Sequence, residues 1–225
     1  MCWNKDVSIN TFIFACLAIG FIFFANTYTK YKIDYIANNY VYYLFFFSFS
    51  VMQLIEYFLW ISIESKDSKL NKTFSIIGFI VILLQPVFAL FLISKNIELR
   101  DILLFIYLLS IGVYLLYSYA FKPIEFITTV GKNHHLKWNW LYINQNTFWF
   151  MLIWYFCIFF GFFTEKKHYL VWFTIHICIA LYFIYTYWKT QEWGSLWCLI
   201  SNSILLYYII HILIYQPLIE YKDLC

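Results

Sequence analysis

The sequence predicts an all-α integral membrane bundle of about seven transmembrane helices, on three observations. Hydrophobic residues make up 64% of the 225 residues and charged residues 12%, whereas soluble globular chains run at about 45–50% apolar and about 25% charged. A soluble fold of this length still exposes much of its surface and cannot hide so many apolar side chains. Second, the apolar residues fall into runs of about 20, the length that crosses roughly 30 Å of hydrocarbon as a helix. Third, 25% of the chain is aromatic, which suits a protein anchored at two membrane–water interfaces.

The first span is expected over 8–28, with Asp6 and Ser8 as helix-start residues ahead of the apolar run. It lacks the positively charged leader and small-residue cleavage site of a secretory signal, so it reads as a retained helix. The second span covers 40–63, and the third, 73–94, carries Gln85-Pro86 in mid-run. The fourth covers 101–121, with Asp101 at its start. Thr147 is placed to cap the fifth, 147–164, which ends at Glu165-Lys166-Lys167; 169–188 and 195–215 complete the set. With no internal repeat and no Gly- or Pro-rich linker, the chain reads as one domain over 1–225. The one long connection, 122–146, carries Lys122, Glu125, Lys132, His134, His135 and Lys137. Such a loop is functional or interfacial, and WNWLY at 138–142 favours the interfacial reading, because Trp and Tyr sit well at headgroup depth.

Seven spans place the termini on opposite faces, here called face A (N-terminal) and face B. Lysine and arginine divide almost evenly between them. Leaving out the long loop gives five on face A against seven on face B, which tips the C-terminus toward the cytosol and the N-terminus outward or lumenal. A glycosylation sequon, Asn71-Lys72-Thr73, agrees with that orientation. The net charge of +3 is spread along the chain, so nucleic acid is not an expected partner and the lipid bilayer is. Six cysteines do not make a disulfide framework. Cys16, Cys157 and Cys178 lie within apolar runs, where a thiol behaves as a small buried hydrophobe.

Glu56 is the carboxylate expected within a span, where an ionisable group is costly and marks a functional site unless it serves as hydrogen-bonded glue. Gln53, Glu56 and Trp60 share one helical stripe. Gln85-Pro86 is either a helix break lining a cavity or an ordinary packing feature. Ser195, Cys198 and Asn202 share a face of the seventh span, suited to close helix packing or to the wall of a polar site. Cys198 and Cys2 both belong to face A and form a disulfide or metal pair only if they meet there. His134 and His135, also on face A, lack metal-ligand spacing and read as a solvated pair, so Cys2, Cys198, His134 and His135 are no more than weak metal candidates. His176 and His211 read as hydrogen-bonded core histidines. No lysine lies in the seventh run, so retinal is not an expected cofactor, and no recognised catalytic motif is present.

The segments MCWNKDVSINTF, MQLIEYFLW, LLQPVF, NHHLKWNW and GSLWC together resemble an uncharacterised family of small multi-pass membrane proteins associated with large DNA viruses of algae and protists. The resemblance implies a seven-helix membrane protein of viral type and carries no activity with it. Three functional readings follow from the residues. The first is a small transporter, channel or receptor-like bundle with a polar site around Glu56. The second is a membrane-embedded enzyme using Glu56 as acid or base with a Cys/His metal or thiol site, and the third is a structural viral or organellar membrane component. The residues name no ligand, ion or oligomeric state.

Overall fold

The computed structural model describes residues 4–141, 143–163 and 169–224. They form a mostly helical bundle. Helix α1 (Lys5–Tyr28) begins earlier than expected because Asn4, rather than Asp6 or Ser8, caps it: its side chain accepts from the Val7 N–H at 2.9 Å. Ala15, Ala18, Ile22 and Ala25 form its buried stripe. Small side chains at that spacing let α1 lie close along α3 (Val41–Glu64), to which the short α2 (Asp34–Ala37) leads. Cys16 points outward and is exposed, as is Cys178, against the expectation of burial; Cys157 is buried.

Helix α3 is the centre of the molecule, flanked by α1 on one side and α4 (Ser68–Leu90) on the other. Asp67 caps α4 through the Lys69 and Leu70 N–H groups, each at 3.0 Å. Helix α4 runs unbroken through Pro86, which removes the N–H that would bond to the Ile82 carbonyl. The Trp154 indole donates to that freed carbonyl at 2.9 Å, and the Tyr107 hydroxyl donates to the neighbouring Leu83 carbonyl at 2.8 Å. Pro86 is therefore a packing feature, re-satisfied by adjacent helices, and not a break.

Helix α5 (Ile97–Phe121) is capped by Asn96, so Asp101 lies inside it and not ahead of it. Helices α6 (Phe148–Phe163) and α7 (Tyr169–Tyr187) follow the long connection. Thr147 directly precedes α6, locked to Asn144 by reciprocal bonds of 2.9 and 3.0 Å. A Cβ on Gly161 would lie 2.2 Å from the Ala89 carbonyl oxygen; only glycine lets the α6 and α4 backbones touch there.

The last segment is not the single helix expected over 195–215. It comprises α8 (Trp193–Ser201), α9 (Ser203–Ile210), one π-helical turn (His211–Tyr215) and α10 (Gln216–Leu224). Asn202 interrupts it because its side-chain amide donates to the Cys198 carbonyl at 2.8 Å, competing for the acceptor its own backbone N–H would use. Pro217 has no N–H to give, and just before it the Gln216 N–H bonds five residues back, to His211, instead of four. The His211 ring stacks between Tyr207 and Tyr215, 5.9 and 5.0 Å away.

Among the described residues, five helical stretches are long and apolar enough to cross a membrane: Lys5–Tyr28, Val41–Glu64, Ser68–Leu90, Ile97–Phe121 and the segmented Trp193–Glu220. Two shorter apolar helices, Phe148–Phe162 and Thr174–Tyr187, accompany them.

The 122–146 connection departs from the all-α expectation. It forms a two-stranded antiparallel hairpin, β1 (Thr128–Val130) with β2 (Leu136–Trp138), followed by a 3-10 turn (Asn139–Leu141). His134 turns the hairpin with φ at 61°. Trp138 and Trp140 stack on each other at 4.8 Å and are buried, so the interfacial reading of these tryptophans fails. Their rings press on Gly194 of α8 and Gly78 of α4 respectively. The hairpin is a cap folded onto face A.

Candidate functional site

The polar residues of the bundle line up along α3. At its face A end, Ser62 accepts from the Asn71 amide at 3.0 Å, and Asn71 clamps the cap: its Oδ1 accepts from the Thr128 N–H at 2.8 Å and its Nδ2 donates to the Thr128 carbonyl at 3.0 Å. The Thr128 hydroxyl meets Ser75 and accepts from the Trp140 indole, both at 2.9 Å. Asn71 is thus buried and fully used, which overturns its reading as a glycosylation acceptor.

One turn and a half deeper sits Glu56. It is 3% exposed, and its Oε2 accepts from the Gln53 amide at 3.1 Å. The Ser195 hydroxyl of α8 lies beside the same carboxyl, and Cys198, one turn further along α8, is its electrostatic neighbour. Among the described residues, Glu56 Oε1 has no hydrogen-bond partner. Tyr155 of α6 borders Cys198. Deeper again, the Ser50 hydroxyl donates to Asn202 Oδ1 at 3.2 Å, and the Gln85 amide donates to the Ser48 carbonyl at 3.2 Å. From Ser48 to Ser62 this seam runs about 20 Å at the helical rise per residue.

The structure therefore brings Gln53, Glu56, Ser195 and Cys198 together and places Gln85 and Asn202 on the same seam. Trp60 is buried on the Glu56 stripe of α3, toward face A. Cys2 lies outside the described residues. The two adjacent histidines part company: His134 is exposed, while His135 is buried beside Glu192 and edge-on to Tyr187 at 5.8 Å, which corrects the solvated-pair reading. Burial lowers the His135 imidazole below its ordinary value, and the Glu192 carboxylate opposes that shift. Among the described residues, no group of three or more His, Cys, Asp and Glu side chains is placed to hold a metal ion.

Sequence reasoning missed Glu192. It is fully buried, wedged against Gly131, where a Cβ would lie 2.2 Å from its Oε1, and that oxygen accepts from the Asn133 N–H at 3.3 Å. It opens the seventh run, EWGSLWC, ahead of the span expected over 195–215, and nothing there set it apart; a glycine at 131 was the available signal of a close approach. Thr128 and Asn71 were missed for the same reason, since their pairing is 57 residues apart in sequence.

Two further cavities are walled mainly by apolar groups, one by Trp138, Trp154 and Trp197, the other by Phe45, Phe162 and Ile204 with His176 among them. A third, of about 160 Å³, is lined by polar and apolar groups alike and lies between the cap and the ends of α5 and α6. Comparison with family models, curated proteins and solved structures returned no match.

Proposed function

We propose that the chain is an integral membrane protein that crosses the bilayer seven times, Phe148–Phe162 and Thr174–Tyr187 being its two shorter spans. Support comes from the outward surface, where Leu17, Phe105 and Leu116 are each more than two-thirds exposed on long apolar helices. In water an apolar surface of that extent is a liability; in lipid it is matched. Two contact sets mark the two faces. Lys5 pairs with Glu64 at 2.6 Å on face A, and Lys30 and Tyr31 both bond to Glu220 on face B.

Within that bundle the Glu56 core serves as a binding site for a small cation or polar solute, reached from face A beneath the cap, as in a transporter or receptor-like protein. The observation that carries this reading is the buried Glu56 carboxyl, which has Gln53 and the Ser195 hydroxyl beside it while its Oε1 is left without a hydrogen-bond partner among the described residues. Buried polar atoms are nearly always partnered, and an exception calls for an explanation. The interruption of the last span at Asn202, one turn from Cys198, adds support, because interrupted helices line solute sites in transporters. A second reading, helix glue in a structural membrane component, is favoured by the Ser195 hydroxyl of α8 beside the Glu56 carboxyl of α3 and by the absence of Glu56 from the walls of the cavities described above.

Thermal melts of detergent-purified wild type, Glu56→Gln and Glu56→Leu, with and without Na⁺, K⁺ and NH₄⁺ at constant ionic strength, separate the two. A ligand of the folded state raises the melting temperature by mass action. A cation-specific rise in wild type that Glu56→Gln lacks supports a binding site. Unresponsive wild type together with a Glu56→Leu variant that melts below it leaves only the glue reading.

A further inference from the structure

The mixed polar and apolar cavity of about 160 Å³ on face A stands apart from the Glu56 core. A single water needs roughly 10–15 Å³ by the same measure, so the space accommodates on the order of ten waters or one small headgroup. Its floor is buried and amphipathic: Tyr114 and Trp140 supply ring surface, Ser118 and Thr147 hydroxyls. Its rim bears both signs of charge, with Lys122 and Lys137 on one hand and Glu125 on the other, and Lys122 and Glu125 reach solvent. Two ammonium groups suit a phosphate, for which lysine is a ready point-charge partner. A carboxylate beside them is wrong for a bare anion but right for a cationic group linked to one.

The pocket also touches the outward surface. Tyr117, on its wall, packs against Phe121 at 5.1 Å, and Phe121 is largely exposed at the end of α5, as is Tyr119. Exposed aromatic rings at a helix end sit at headgroup depth, and below them the outward face of α5 is apolar through Leu116, Leu109 and Phe105. A headgroup held in the cavity has an apolar track for its acyl chains.

We propose that this cavity binds a phosphorylated amine, the headgroup chemistry of a phosphatidylethanolamine, with Lys122 and Lys137 on the phosphate and Glu125 on the ammonium. The site does not depend on the Glu56 core. The same chemistry arises from a membrane lipid or from soluble phosphoethanolamine, and only the lipid source requires the membrane reading.

The test is native mass spectrometry of the detergent-purified full chain, titrated with short-chain phosphatidylethanolamine, phosphatidylglycerol, O-phosphoethanolamine or inorganic phosphate. Wild type is compared with Lys122→Ala/Lys137→Ala and with Glu125→Gln. The proposal expects phosphatidylethanolamine to bind more tightly than phosphatidylglycerol, a loss of about tenfold in the double variant, and loss of the preference in Glu125→Gln. Lysine-dependent binding of O-phosphoethanolamine equal to that of the lipid upholds the chemistry and assigns the soluble source. Should the double variant fail to fold, Glu125→Gln alone decides through the headgroup preference. Equal binding of the two lipids in wild type, or binding unchanged in the lysine variant, overturns the proposal.

Discussion

Replacing Asn71 with alanine removes the clamp between α4 and the cap. The Asn71 side chain presents one acceptor and one donor to Thr128 in the way a neighbouring strand would, at 2.8 and 3.0 Å. Thr128 is 2% exposed, so water does not replace either partner. An unsatisfied buried polar group costs about 1–3 kcal/mol, and two of them, less some relaxation of the hairpin, give a loss of about 2–5 kcal/mol. For a chain of this size that corresponds to a fall of roughly 5–15 °C in melting temperature. Asn71→Asp keeps the acceptor but turns a second oxygen toward the Thr128 carbonyl, so it is expected to be no better than alanine. Thermal unfolding followed by tryptophan emission reports the loss, because Trp138 and Trp140 leave their stacked, buried position when the cap opens. Hydrogen exchange across 122–146 locates it. Wild-type exchange in that segment, together with a melting temperature within about 1 °C of wild type, would refute the clamp.

Trp154→Phe preserves most of the packing but strands the Ile82 carbonyl that Pro86 has freed, at a cost of about 1–3 kcal/mol; adding Pro86→Ala, which returns a backbone donor, should recover most of it in a double-mutant thermal melt. His135 is held below its ordinary value by burial, so the unfolded chain takes up its proton first as pH falls. The contribution of a neutral His135 is therefore present above about pH 6.5 and lost as pH falls toward its lower folded value. Melting temperature against pH should show that acid-side loss in wild type and a flatter profile in His135→Gln; parallel profiles would remove His135 as the cause.

The helical class and the positions of the apolar stretches were legible because hydrophobic runs of that length leave few alternatives. Glu56, Gln53, Ser195 and Cys198 were also legible as a group, since polar residues inside such runs must turn toward one another. Boundaries moved where a side chain unrelated to hydropathy acted as cap, as Asn4, Asp67 and Asn96 do. The interruption at Asn202 was hidden because an asparagine amide competing for a carbonyl leaves no trace in apolar periodicity. The cap was misread most. Trp138 and Trp140 have the composition of an interfacial belt, and only the bonds of Thr128 to Asn71 and of Asn133 to Glu192, 57 and 59 residues apart in sequence, reveal that the hairpin carrying them folds inward.

Those partners also impose an order of assembly. Asn71 precedes the hairpin in the chain, so one side of the cap can dock while the protein is still being made. Glu192 and Gly194, which hold the other side through Asn133, Gly131 and Trp138, are synthesised well after it. Until α8 arrives, the Trp138 ring and the hairpin edge remain unsheltered. Closure of the cap thus waits on α8, and a chain shortened before α8 leaves the Trp138 ring without the Gly194 surface it packs against.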